Sequence, residues 1–189
     1  MPSPLNGFTE PAASPTTSHV GPMLGVTDPP VGSFPPVGGP HDGEWADCTG
    51  TVYDVDIRHE NAVHSLEHGA VWITYDPEQL SDAEIATLAD LVDGVSGRML
   101  SPYAGLDSPI SLQSWNHQLK VDSADDERIK QFADFLTQNA DFYPEVGASC
   151  ENPQFVSDPL VVGDNSRGTD AMTTDAPTTT TPGTGSGTP

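Results

Sequence analysis

Two imidazoles and a carboxylate fall within one short run, His64-Ser65-Leu66-Glu67-His68, and Gly69 follows at once. In a helix these three side chains sit at i, i+3 and i+4, on one face of one turn. Two imidazoles a turn apart can bind the same divalent ion. A carboxylate between them can serve as ligand, orienter or base. Directly afterwards Ala70-Val71-Trp72-Ile73-Thr74-Tyr75, rich in branched and aromatic residues, reads as a strand. The histidine turn therefore enters a strand of the core, which is a rigid place to hold a site.

A third imidazole, His41, ends the run Pro29-Pro30-Val31-Gly32-Ser33-Phe34-Pro35-Pro36-Val37-Gly38-Gly39-Pro40. Stiff Pro-Pro steps before it would fix where its ring points. The predicted metal set is His41, His64 and His68, with Glu67 or His19 completing or orienting the shell. Three imidazoles suit zinc or copper, and the absence of a nearby cysteine pair argues against a thiolate structural zinc site. Met23 and Met99 offer thioethers that would tilt the choice to copper, although each fits a core or loop position better. His59 and His117 read as surface residues. Trp45, Trp72 and Trp115 read as core or rim residues rather than a carbohydrate-stacking platform.

Two other readings of the same residues stay open. His64-x-x-Glu67-His68 follows the H-x-x-E-H order of inverted zinc peptidases, in which the glutamate activates zinc-bound water. Glu145 would then supply the distant third ligand. Against this, Gly69 and a strand follow immediately, whereas the peptidase motif belongs inside a long helix. The remaining reading is a metal-free structural or interaction domain, with Glu67 pairing to His64 or His41. No separate nucleophile, oxyanion donor or cofactor loop can be identified, which favours binding over catalysis.

The elements that position these residues follow from periodicity. Ser81-Asp82-Ala83-Glu84 is a capping box, and Ile85, Leu88, Leu91 and Val92 recur at helical spacing until Gly94 and Gly97. Arg98-Met99-Leu100-Ser101 predicts a short strand, and Pro109–Trp115 alternates with period two as another. A second helix is expected over about 124–139, with Ile129, Phe132, Phe135 and Leu136 on one face. The predicted fold class is α+β, a small mixed sheet covered by two helices on one side. Residues 1–40 are expected to form an irregular Pro/Gly-rich arm, 41–155 the compact domain, and 156–189 a disordered Thr/Pro/Gly/Asp-rich tail.

The chain carries 28 acidic against 6 basic residues in 189, a formal charge of −22. That balance argues against nucleic acid and anionic membranes as partners, since each phosphate contact needs lysine or arginine. It fits a halophilic setting, where screening removes self-repulsion. An acidic binding face is the rival account. No apolar run approaches the length of a membrane span, and residues 1–20 lack an apolar signal core, so the chain as written reads as soluble. Export through a leader outside this sequence stays open. Cys48 and Cys150 lie far apart without a C-x-x-C pattern. A disulfide between them would close a loop of roughly 100 residues, worth up to about 4–5 kcal/mol in the chain-entropy model.

Several of these segments together resemble one family. Pro36-Val37-Gly38-Gly39-Pro40-His41, Val63-His64-Ser65-Leu66-Glu67-His68-Gly69-Ala70-Val71, Ser114-Trp115 and Pro144-Glu145 are similar, in order and spacing, to the signature blocks of domain-of-unknown-function family 3105. The resemblance runs from about His19-Val20 to Cys150, and the His-Ser-Leu-Glu-His-Gly block is its specific part. Gly38 stands where the family usually has serine. Many members look membrane-anchored through an N-terminal helix that this sequence lacks. The resemblance supports the choice of histidines and implies no particular reaction.

Overall fold

The computed structural model describes residues 34–167. They form β1 (Thr49–Val52), α1 (His59–Glu67), β2 (Val71–Tyr75), α2 (Asp82–Asp90), β3 (Arg98–Pro102), β4 (Ile110–Ser114), β5 (His117–Val121), α3 (Glu127–Leu136) and α4 (Pro153–Ser157). The strands make one mixed sheet in the order β1-β3-β2-β4-β5. β3 runs parallel to both β1 and β2, while β2/β4 and β4/β5 are antiparallel. The α+β class with a mixed sheet is the one the sequence predicts.

The chain crosses the sheet twice in opposite directions. β1 leads through α1 past β3 to β2, and β2 leads back through α2 to β3. Two crossovers of the same preferred hand that run in opposite directions must place their helices on opposite faces. The packing agrees. Val63 and Leu66 of α1 join Trp72, Met99 and Trp115 in one cluster. Leu88 of α2 joins Val71, Ile73, Leu100 and, from α3, Phe132 and Leu136 in the other. Every residue of β2 is buried, as a central strand between two covered faces requires. Full burial of side chains such as Ile73, Leu100 and Phe132 contributes about 1.5–3 kcal/mol each. The two helices expected on one side are α2 and α3. The expectation that helices cover only that side is corrected by α1, which takes the other.

The capping box starts α2 as expected: Ser81 Oγ accepts from Glu84 N, and Glu84 Oε2 accepts from Ser81 N. α3 is shorter than its periodicity suggests, because Asp126 caps it through Arg128 N at 2.9 Å. The sequence pattern predicts a compact domain that closes at 155. The described chain packs beyond that point, with Leu160 only 1 % exposed and Val161 bridging Ile57. Cys48 and Cys150 form a disulfide, with Cα atoms 4.7 Å apart. Among the described residues, no helix is long and apolar enough to cross a membrane.

The joint between α1 and β2 sets the geometry of the site. His68 caps α1, and Gly69 follows with φ of 88°. Gly69 N donates to Leu66 O and Ala70 N to Ser65 O, both at 3.0 Å, the paired bonds of a Schellman ending. A left-handed residue is needed there, and the ring of Tyr143 leaves no room for a Cβ, which would lie 2.7 Å from it. The glycine of the His-Ser-Leu-Glu-His-Gly run thus ends the helix and turns the chain straight into the sheet.

Candidate metal centre

Three segments meet at the C-terminal end of α1. The helix brings His64 and Glu67 on its last turn and His68 at its cap. The strap before β1 brings His41. It is tied to the β4–β5 hairpin by Asn116 N donating to Val37 O (2.9 Å) and Gln118 Nε2 donating to Pro35 O (2.9 Å). It is tied to α1 by Asn61 Nδ2 donating to Glu44 O (2.7 Å) and Ser65 Oγ donating to Ala46 O (2.6 Å). The third segment, before α4, brings Glu145 and Ser149. Its Glu145 N donates to Glu67 O at 3.2 Å, satisfying one of the carbonyls left over at the helix end. The disulfide joins this segment to the strap, one residue beyond Ser149.

Each of the three imidazoles is oriented the same way. Nδ1 of His41 lies 2.8 Å from Gly39 O, Nδ1 of His64 2.7 Å from Asp42 O, and Nδ1 of His68 2.8 Å from Ser149 O. A carbonyl oxygen can only accept, so each Nδ1 carries the proton and donates. In the neutral ring this makes Nε2 the basic nitrogen. Nε2 of His41 lies 2.8 Å from Glu67 Oε2, and Nε2 of His68 lies 3.3 Å from Glu145 Oε2. The ring centroids of His41 and His64 are 5.0 Å apart, and those of His64 and His68 are 4.6 Å apart. His41, His64, Glu67 and His68 are all buried, whereas the Glu145 side chain is 45 % exposed. Burial and the nearby Glu145 carboxylate push the pKa of Glu67 up to about 7.

Tryptophans wall the cluster on two sides. Trp45, half-buried, has its ring centroid 5.7 Å from that of His64 and 5.1 Å from that of His68. Trp115 is buried edge-on to His41 at 6.3 Å. Trp72 is wholly buried in the core, so the three tryptophans take core and rim positions. Asp42 is held by Arg58 at 3.1 Å and accepts from Glu44 N at 2.8 Å. Its carboxylate is therefore committed, while its carbonyl orients His64.

Two groups of side chains hold their ligand atoms within 4.8 Å of one another: His41, His64 and Glu67, and His64, His68 and Glu145. Of the residues singled out in the sequence, His41, His64, Glu67 and His68 are brought together. His19 and Met23 lie outside the described residues. Met99 packs in the core cluster beneath α1. Glu145, named in the sequence for the peptidase-like order and as part of a family block, stands beside His68. Two other histidines correct the expectation of surface positions. His117 is 4 % exposed beneath Phe142, because β5 begins at the covered end of its hairpin, and His59 stacks on Tyr103 with centroids 4.2 Å apart. Sequence reasoning missed the orienting carbonyls of Gly39, Asp42 and Ser149, since main-chain acceptors leave no mark in residue type.

No curated protein and no solved structure matches the chain. A family model does, over residues 32–152, a span that holds both cysteines, the strap histidine, the histidine turn and Glu145. The chain belongs to the family described as protein of unknown function DUF3105.

Proposed function

We propose that this domain binds one transition-metal ion, zinc or copper, in the cluster formed by His41, His64, His68 and Glu67. The observation that carries this reading is the common orientation of the three rings, each with Nδ1–H on a backbone carbonyl. Metal-binding histidines are held in this way, because the outer hydrogen bond fixes the tautomer and raises the basicity of the other nitrogen. Distances support it. Two rings bonded to one ion at about 2.0–2.1 Å place their centroids roughly 5 Å apart. The donors are imidazole and carboxylate, and both cysteines are consumed by the disulfide, which favours zinc or copper(II) over a thiolate-bound ion. The charge of −22 supports a setting of high salt for the domain.

A second reading draws on Glu145. Its place beside His68 completes the ligand order of an H-x-x-E-H zinc hydrolase, with Glu67 as the base. The contact of Glu67 with His41 and the end of α1 at Glu67 weigh against it. Metal analysis of the mildly purified protein, with His64→Ala and His68→Ala, tests the first reading. It requires one ion per chain, lost in His64→Ala, the ring common to both ligand groups, and bound or exchanged less well in His68→Ala. Hydrolysis further requires turnover of a peptide or ester that Glu67→Gln abolishes while metal stays bound. Wild-type protein that stays metal-free after reconstitution with zinc and copper leaves the metal-free structural domain standing.

A further inference from the structure

The two ligand groups differ in exposure and share one residue. His41, His64 and Glu67 are all buried, while His64, His68 and Glu145 include a carboxylate that reaches solvent. His64 belongs to both. Its Nδ1 is committed to Asp42 O, so the neutral ring has a single basic nitrogen to offer. One nitrogen lone pair binds one ion at a time. The two groups therefore cannot be filled together through His64, and they do not make a two-metal centre. We infer that they are two successive stations for a single ion, which enters on His64, His68 and Glu145 and passes to His41, His64 and Glu67 by pivoting on His64.

The surroundings fit an outer and an inner station. Half-buried Trp45 packs against His64 and His68, the two rings of the group that includes Glu145, whereas buried Trp115 backs His41. An ion surrounded only by buried ligands exchanges slowly, since no incoming ligand can reach it before an existing bond breaks. An exposed carboxylate opens an associative route, in which each new bond forms as an old one breaks. The cluster then suits a protein that takes up and hands on an ion, rather than one that stores it permanently. This rests on the metal-binding reading above.

Stopped-flow exchange of zinc with a colorimetric chelator tests it on the full chain, beside equilibrium titration. Wild type is expected to bind one zinc per chain. Glu145→Ala should slow both uptake and release roughly tenfold or more, with Kd changed by less than about threefold. His41→Ala should show the opposite pattern, with Kd weakened roughly tenfold or more and fast exchange kept. Glu145 is exposed, so its removal leaves the core intact, and an unchanged urea midpoint verifies that. Two zinc ions per chain, Glu145→Ala exchanging at the wild-type rate, or Glu145→Ala weakening Kd as much as His41→Ala would each overturn the two-station scheme while leaving metal binding in place. Wild type that takes up no zinc or copper would remove both.

Discussion

Nε2 of His41 lies 2.8 Å from Oε2 of Glu67, and both side chains are out of contact with solvent. With Nδ1 of His41 donating to Gly39, this contact must hold a proton on one partner or the other in the metal-free protein. Glu67→Ala removes the carboxylate and leaves the imidazole facing an apolar gap, which costs about 1–3 kcal/mol. Glu67→Gln keeps a polar group at hydrogen-bonding distance and should cost less. Urea unfolding of the metal-free variants checks the order. Equal losses in the two variants would show that His41 does not depend on the contact.

Gly69 is where helix ending and core packing coincide. Alanine there must adopt φ near 88° and push its Cβ against Tyr143. Left-handed strain and overpacking together predict a loss of about 2–4 kcal/mol for Gly69→Ala. Combining it with Tyr143→Leu should relieve the packing part alone, leaving roughly 1–2 kcal/mol from the backbone. Thermal midpoints of the two single variants and the double variant read this directly.

The position of the histidine turn was legible in the sequence, whereas the length of its helix was not. His59-Glu60-Asn61-Ala62 shows no amphipathic stripe, because α1 is buried nearly all round and its polar residues bond to the strap. Periodicity measures the contrast between a wet and a dry face, and a helix without a wet face gives no contrast. β5 escaped for a related reason: His117 and Gln118 are buried polar residues that hide its alternation. β1 is four residues long and irregular at Gly50. α4 went unread: it is five residues long, and its start at Asn152 and Pro153 lies where composition already turns toward the tail. Glu145 entered the sequence reading through a motif order and a family block, and its contact with His68 needs the fold, since the two are 77 positions apart with four of the five strands between them.

The disulfide reaches the site through a single residue. Cys150 follows Ser149, whose carbonyl orients His68, and Cys48 N donates to Cys150 O at 3.0 Å. With the cysteines 102 positions apart, removal of the bridge is expected to cost about 2–5 kcal/mol of stability. Cys48→Ser/Cys150→Ser should also weaken zinc binding, because the segment carrying Ser149 and Glu145 loses its tether. Titrating the folded variant with zinc at low temperature separates the two effects. An unchanged Kd would show that the bridge serves stability alone.

Asp47 gives the fold an acid-sensitive tie beside that bridge. Burial by itself raises its pKa, but bonds from Asn152 N, Thr49 and Thr51 outweigh it and hold the carboxyl below the usual aspartate value. Between the folded and unfolded pKa values the unfolded chain binds more protons, so stability rises with pH. The contribution is complete above about pH 4 and is lost as pH falls through the lowered folded value. Asp47→Asn should therefore be less stable than wild type at pH 6, with the gap closing toward pH 2 in urea midpoints. A gap that stays constant would assign the loss to packing.

All six basic residues are already paired with carboxylates: Arg58 with Asp42 and Glu60, Arg98 and Lys130 with Asp134, Lys120 with Asp107, Arg128 with Asp126, and Arg167 with Glu44 and Asp158. No lysine or arginine remains to offset the other acids, which repel one another. Added salt weakens both effects, and magnitudes decide the sign. Exposed pairs are worth about 0–1 kcal/mol each, and the pairs of Arg58 are buried and poorly screened. The repulsion of 22 uncompensated charges is therefore the larger quantity to be screened. Raising potassium chloride from low concentration to about 1 M, where the screening length falls to roughly 3 Å, should raise the thermal midpoint by roughly 5 °C or more. A midpoint that stays flat or falls would mean that the acidic surface is neutralised some other way, and the reading of this chain as adapted to high salt would go with it.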